Sequence, residues 1–123
     1  MIYAFWFILM NYKKRVGYAG ENIVAEHYRQ QGFTILEQNY TIRGGEIDII
    51  AMDEKNIAFV EVKVINNIDD IQSFITNKKL YYLEKTIQQY ILTHSIPDKD
   101  RRLDVAFVKN DQIVDIFINV TWT

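Results

Sequence analysis

The sequence contains no cysteine, one proline and two histidines among its 123 residues. Without cysteine the protein has no disulfide, no thiolate nucleophile and no thiolate-bound metal. The histidines, His27 and His94, are too few to form a zinc site by themselves. Any metal must therefore bind carboxylates, which favours Mg²⁺ or Mn²⁺. The absence of cysteine also fits a reducing compartment, and we expect a cytoplasmic protein.

A strong excess of charge is also lacking, as is a long apolar run. The formal net charge is −2, so a nucleic-acid partner would need positive charge gathered in one place. The apolar start, residues 1–10, is shorter than the ~20 residues that a membrane span needs. It also lacks the basic start and the cleavage site of a signal peptide. We therefore predict no membrane span.

Apolar residues make up 49% of the chain, enough for the core of one domain. We divide the chain into an N-terminal extension, residues 1–15, and a single domain, residues 16–123. The apolar start has two interpretations. It is a strand or extension that packs on the domain or on a second copy, or the natural start is Met10 and residues 1–9 reflect start-site choice. The second is favoured because the domain pattern begins only near Val16.

Two apolar runs separated by a short polar break lie between Gly44 and Lys63. This pattern predicts a β-hairpin whose loop is formed by residues 53–56. Because side chains alternate between the faces of a strand, it also predicts the cross-strand pairs Met52–Ile57, Ile50–Phe59, Asp48–Glu61 and Glu46–Lys63. One face of the hairpin therefore carries three carboxylates and a lysine. The other face is expected to be wholly apolar, with Ile47, Ile49 and Ala51 opposite Ala58, Val60 and Val62.

The opposed carboxylates of Asp48 and Glu61 are unusual for a structural sheet. Like charges directly opposed across a sheet are destabilising, so either a cation lies between them or one of them holds a proton. A hard divalent cation with oxygen ligands is the simplest solution. The alternative is a solvated face with two ordinary cross-strand charge pairs. The neighbouring Ile50 and Phe59 argue against it, because they place the charges in a partly buried setting.

Residues 17–31 are predicted to form a helix that ends at Gly32. Glu21 lies on the same face of this helix as the apolar stripe, which consists of Val24, Ala25 and Tyr28. Glu21 is therefore a candidate member of a site on the sheet. Alternatively, it is a carboxylate favoured near a helix N-terminus by the helix dipole.

Residues 76–93 are predicted to form a second helix, with Leu80, Leu83, Ile87 and Ile91 as its apolar stripe. Its first turn carries Lys78 and Lys79, whose charges oppose the helix dipole. They either bind an anionic ligand such as phosphate or are ordinary surface lysines. Strands are predicted at residues 33–40, 103–109 and 113–120, and a loop at residues 65–75. The resulting order is α-β-β-β-α-β-β.

The spacing from Asp48 to Glu61 and Lys63 has the form D-x(12)-E-x-K, which suits phosphodiester hydrolysis. Asp48 and Glu61 would bind a metal together with a backbone carbonyl near Val62. Lys63 would orient the attacking water or stabilise charge on the phosphate. Glu21 and Glu46 could hold water ligands of the metal or a second ion.

The segments Gly44–Ile50 and Phe59–Lys63 are near-complete matches to two motifs of a known family. From Val16 onwards the sequence resembles the YraN-like, endonuclease-like bacterial proteins of the PD-(D/E)XK nuclease superfamily, which are related to archaeal Holliday-junction resolvases. The resemblance implies a restriction-endonuclease-like α/β fold, in which helices flank a central mixed sheet. It also implies an active constellation of Glu21, Asp48, Glu61 and Lys63, with Mg²⁺ or Mn²⁺ and with DNA, including branched or damaged DNA, as the partner.

The sequence departs from the family pattern after Lys63. The family usually continues with threonine and arginine, whereas this chain has Val64-Ile65-Asn66 and so lacks a positive charge there. A second hypothesis is therefore a catalytically weak or inactive nucleic-acid-binding accessory protein on a nuclease scaffold. A third is a protein-interaction module that uses the apolar N-terminus. Members of the superfamily that cut both strands often act as dimers, and the N-terminus could serve a homodimer interface.

Overall fold

The computed structural model describes the backbone of residues 2–68, 71 and 76–120, and the side chains of these residues from 16 onwards. Its elements in chain order are α1 (Ile2–Gln30), β1 (Thr34–Ile42), β2 (Gly45–Met52), β3 (Asn56–Val64), α2 (Asn77–Thr93), β4 (Asp100–Lys109) and β5 (Gln112–Phe117). The order α-β-β-β-α-β-β is confirmed.

The five strands form one mixed sheet in the order β1-β2-β3-β4-β5. The pair β3–β4 is parallel and the other pairs are antiparallel. Parallel neighbours need a long crossover, and α2 lies in the chain between them. One cluster of apolar side chains joins α1 to the sheet through Val24, Ala25, Tyr28, Ile49 and Val60. A second cluster joins α2 to the sheet through Leu80, Leu83, Ile87, Ile50 and Phe59. The helices therefore flank the central sheet, as predicted.

Helix α1 begins at Ile2 rather than at Gly17, so the prediction of its start was wrong. The interpretation of residues 2–10 as a strand is wrong for the same reason. No proline or glycine lies between Ile2 and Val16 to interrupt a helix. The domain boundary at residue 16 and the origin of residues 1–9 stay predictions. Within the residues that the structure describes, no helix is long and apolar enough to cross a membrane.

Gly20 allows α1 to lie close to β3. A Cβ atom at this position would be 2.9 Å from a methyl group of Val64, closer than side chains normally approach. The next residue, Glu21, therefore reaches the sheet. Val24, Ala25 and Tyr28 follow on the same face and are buried, which confirms the predicted stripe.

A buried aspartate ties α1 to β4 and to the segment after β5. Asp104 accepts hydrogen bonds from the hydroxyl of Tyr28 at 2.5 Å and from Nε of Arg102 at 3.2 Å. It also accepts one from the backbone N–H of Asn119 at 3.0 Å. Because this amide turns to Asp104, β5 ends at Phe117 and does not reach the predicted residue 120.

The connections differ from the prediction in small ways. Strand β1 extends to Ile42 because the turn to β2 needs only Arg43 and Gly44, with φ +92° at Gly44. In the predicted loop at residues 65–75, Ile65 and Ile71 are buried against β4. Residues 69–70 and 72–75 lie outside the described part of the chain.

Candidate active site

The hairpin of β2 and β3 has the predicted register only near its loop. Met52 pairs with Ile57 and Ile50 with Phe59, as predicted, and the ladder ends at the pair Ile49–Val60. The predicted backbone pairs of Asp48 with Glu61 and of Glu46 with Lys63 are therefore wrong. The physical reason is a side-chain hydrogen bond: Oδ2 of Asp48 accepts from the backbone N–H of Val62 at 2.7 Å. This bond replaces the ladder where the two strands part.

Side-chain alternation along β2 also breaks at Asp48. Ile47 was predicted to share a face with Ile49, but it packs with Ile50 on the α2 side. Two residues three apart cannot share a face of a regular strand, so the backbone changes direction between them. Opposite this point in β1, between the pairs Gln38–Ile49 and Tyr40–Ile47, Asn39 has φ +57°. The irregularity therefore involves both strands.

Three carboxylates from three elements meet at this irregularity. Glu21 of α1, Asp48 of β2 and Glu61 of β3 expose only 9%, 7% and 5% of their surfaces. Glu46 is exposed, but its charge acts on both glutamates. The structure thus brings together all four acidic residues that the sequence singled out.

Burial and mutual repulsion make two of these groups poor acids. Burial, then the hydrogen bond and negative charge of Asp48, raise the pKa of Glu61 to about 10 from an ordinary 4.5. Burial, then the charge and hydrogen bond of Asp48, raise the pKa of Glu21 to about 7. In the absence of a cation, Glu61 therefore holds a proton at neutral pH. The sequence predicted either a proton on one of the two carboxyls or a cation between them.

The carboxylates suit a cation in two respects. They offer only hard oxygen atoms, and Oε2 of Glu21 is buried without a hydrogen-bond partner, a costly state that a water ligand or a cation would relieve. Within the described residues, no three acidic or histidine side chains are close enough to hold a metal ion by themselves. Mg²⁺ commonly binds one or two carboxylates and keeps several waters. Asp48 and Glu61, whose side chains are hydrogen-bonded to each other, supply two carboxylates.

The predicted lysines differ in their exposure and in their effect on the carboxylates. Lys63 is exposed on β3, two residues beyond Glu61. Lys79 is partly buried, and its positive charge lowers the pKa of Glu61, whereas burial and the charge of Asp48 raise it. Lys78 is exposed beside it on α2. The helix is capped by Thr76, whose hydroxyl accepts from the backbone N–H of Lys79 at 3.2 Å, so Lys79 is held at the edge of the site.

Sequence reasoning missed one residue of this site, Asn39. Its side chain hydrogen-bonds to Glu21 and thereby lowers the pKa of that carboxyl. The available signal was an asparagine inside a predicted strand, where asparagine is disfavoured. Asparagine is also among the residues that most readily adopt a positive φ, as Asn39 does.

The element order, the mixed sheet and the acidic residues at the point where β2 and β3 part define a restriction-endonuclease-like α/β protein. A family model described as "Uncharacterised protein family UPF0102" matches residues 20–108. The chain therefore belongs to this family, the YraN family. The matched range contains all the acidic and basic site residues discussed above.

Relatives in several bacteria share most of the chain. A UPF0102 protein of Campylobacter jejuni is 37% identical over 97 residues, which cover 79% of this chain and 86% of the relative. One of Persephonella marina is 38% identical over 102 residues, covering 81% and 88%. One of Flavobacterium psychrophilum is 33% identical over 99 residues, covering 79% and 82%.

Proposed function

We propose that the protein is a Mg²⁺- or Mn²⁺-dependent endonuclease that hydrolyses phosphodiester bonds of DNA, including branched or damaged DNA. One observation carries the proposal: Glu21, Asp48 and Glu61 are buried together, and Oε2 of Glu21 has no partner. Burying like charges is costly unless something compensates them. A divalent cation compensates the charge, and the neighbouring Lys63 and Lys79 suit the phosphate of a substrate.

In this proposal Asp48, Glu61 and the carbonyl of Val62 hold the cation, which when bound polarises the phosphate and acidifies a water. The hydrogen bond from the N–H of Val62 fixes the orientation of the Asp48 carboxylate. The Glu21 carboxyl accepts a hydrogen bond from a water, and the Asn39 amide orients that carboxyl. Glu46 adds negative charge at the exposed rim of the site.

Lys63 is exposed on β3, two residues beyond Glu61, and we assign it to the phosphate of the substrate. Its ammonium group orients the attacking water or stabilises negative charge that develops on the phosphate oxygens. Lys78 and Lys79 add positive charge at the start of α2. Because the whole chain has a net charge of −2, these lysines supply the local attraction for DNA. We also propose that the protein acts on DNA in the bacterial cytoplasm.

The test is cleavage of single-stranded, duplex, flapped and four-way DNA in Mg²⁺ and in Mn²⁺. Wild type is compared with Asp48→Asn, which removes one metal-binding charge with little change of shape. Asp111→Asn is the matched control, because it makes the same change in an exposed turn where φ is +59°. Cleavage that is lost only in Asp48→Asn supports the proposal. Cleavage by none of the proteins, or equal cleavage by Asp48→Asn, contradicts it.

The second candidate function is a nucleic-acid-binding accessory protein with little or no catalysis. It is favoured by the segment after Lys63, where Val64 contacts α1 and Ile65 is buried. These residues serve packing in place of the threonine and arginine that the resemblance leads one to expect. An accessory protein should bind DNA equally well with Lys63→Ala and show no turnover. For cleavage of both strands we also propose a homodimer, which light scattering would show as twice the mass of one chain.

A further inference from the structure

Two neighbouring tyrosines on α2 have no role in the core or in the proposed reaction. Tyr81 and Tyr82 expose 58% and 41% of their surfaces. Their ring centroids are 5.4 Å apart and their planes are inclined at 79°, so each ring contacts the edge or the face of the other. The buried side of the helix is formed instead by Leu80, Leu83 and Ile87. The two rings are therefore held on the surface with faces open to solvent.

Positive charge flanks the two rings. At 100° per residue, Lys78, Tyr81, Tyr82 and Lys85 fall within an arc of about 100° around α2, and we call these four residues the aromatic strip. The one acidic residue of α2, Glu84, forms an ion pair with Arg101 of β4. The strip thus combines exposed aromatic rings with unopposed basic charge along its own helix.

The part of α2 that carries the aromatic strip packs on the start of β2 through its backbone. The carbonyl of Tyr82 accepts a hydrogen bond from the hydroxyl of Thr86 at 2.8 Å. Both groups pack against Gly45, since a Cβ there would overlap the Thr86 hydroxyl and lie 3.3 Å from the Tyr82 carbonyl. Gly45 directly precedes Glu46 on β2. The backbone of α2 behind the strip therefore lies against the start of β2.

We propose that the aromatic strip binds unpaired nucleotides of DNA, whose bases stack on Tyr81 and Tyr82 while Lys78 and Lys85 contact the phosphates. Bases within a duplex are covered by their neighbours, whereas unpaired bases offer a face to an aromatic ring. The strip therefore selects DNA that carries a single-stranded segment. This inference rests on the proposed function, because it names the substrate class that the same site would cut.

The experiment measures binding in EDTA, where a metal-dependent reaction cannot proceed. Fluorescence anisotropy gives Kd for an oligothymidine of about 20 nucleotides, long enough for a typical single-strand site. The same measurement uses an abasic strand of equal length and a duplex. The variants are Tyr81→Ala and Tyr82→Ala, with the phenylalanine substitution at each position to retain the ring. Leu92→Ala, another exposed residue on α2, is the matched control.

Each alanine substitution at a tyrosine should weaken oligothymidine binding about fivefold or more, the effect of losing one stacked base. The phenylalanine variants and Leu92→Ala should bind like wild type. The abasic strand and the duplex should bind more weakly than oligothymidine, and the tyrosines should not affect them. Equal binding of single-stranded and duplex DNA, or no effect of the alanine substitutions, would overturn the proposal. Absence of DNA binding would also overturn it and point to a protein partner.

Failure of this proposal is distinguishable from failure of the nuclease. If Asp48→Asn abolishes cleavage but Tyr81 and Tyr82 affect neither binding nor cleavage, the nuclease stands and the aromatic strip does not bind the substrate. If the alanine substitutions weaken binding of single-stranded DNA and no DNA is cut, the aromatic strip binds unpaired nucleotides and the protein is a DNA-binding accessory protein without nuclease activity.

Discussion

Replacing Asp48 with asparagine should stabilise the metal-free protein at alkaline pH. The pKa values of Glu21 and Glu61 are raised in the folded state to about 7 and about 10, from 4.5. Such a group contributes its full stability below about pH 4.5 and loses it as the pH rises through the folded-state pKa. The charge of Asp48 is one cause of both shifts. Without it, both carboxyls should ionise at lower pH and less stability should be lost.

The magnitude follows from the pKa shifts. For Glu21 the whole shift corresponds to about 3 kcal/mol, of which burial is the largest cause and solvent screens a further part. Removing the charge of Asp48 should therefore recover ~1 kcal/mol from Glu21 at pH 8, whereas Glu61, whose pKa is raised to about 10, still holds its proton there and contributes only at higher pH. The asparagine oxygen can still accept the hydrogen bond from Val62. We expect a gain of about 1 kcal/mol at pH 8, or ~3–5 °C in Tm, which vanishes near pH 5.

Thermal unfolding at pH 5 and pH 8, in EDTA and in Mn²⁺, checks this prediction. In EDTA at pH 8, Asp48→Asn should melt above wild type. Mn²⁺ should raise the Tm of wild type more than that of the variant and thereby reverse their order. Asp111→Asn should follow wild type throughout. A variant that melts below wild type in EDTA at pH 8 would refute the reasoning, because the Asp48 charge would then be stabilised by partners within the metal-free protein.

Three other measurements bear on the same site. Mn²⁺ binding should tighten as the pH rises and should release protons, because Glu61 must lose its proton to bind metal. Calorimetry in buffers of different ionisation enthalpy measures this proton release. Its absence would contradict the assignment of Glu61 as a metal ligand. Lys63→Ala should lower the cleavage rate about 100-fold or more while Tm and Mn²⁺ affinity stay as in wild type. Gly45→Ala should lower the free energy of unfolding by about 1–3 kcal/mol in chemical denaturation, because the new Cβ overlaps the side chain of Thr86. Gly17→Ala is the control: its Cβ meets open space, and it should raise the free energy of unfolding by up to ~1 kcal/mol.

The local sequence pattern was sufficient to predict the helices and strands around the site. The polar break after Met52 and the two-residue alternation predicted the hairpin and its register near Phe59, because both follow from backbone geometry alone. The periodicity of the helices likewise predicted that Glu21 shares a side of α1 with the buried stripe, and that Leu80, Leu83 and Ile87 form the buried side of α2. Other predictions based on local pattern were wrong, among them the start of α1 at Gly17, the end of β5 at residue 120 and regular pairing beyond Ile49.

The regular pairing failed because a tertiary contact competes with it. A carboxylate can take the place of a backbone acceptor, and whether Asp48 does so depends on where the N–H of Val62 lies after folding. Alternation cannot show this, and neither can it show that Asn39 adopts φ +57° opposite Asp48. These features lie where three elements meet, and no single stretch of sequence contains all of them.

The sequence by itself determined the order of elements, the hairpin and the identity of the acidic residues, since these depend on periodicity and residue type within short segments. Only the tertiary structure decided how the carboxylates meet. The close approach of α1 at Gly20 buries Glu21 beside Asp48, and Asp48 bonds to the N–H of Val62 and to the carboxyl of Glu61 where β2 parts from β3. Their raised pKa values follow from burial and mutual repulsion, which arise only when distant segments are packed together.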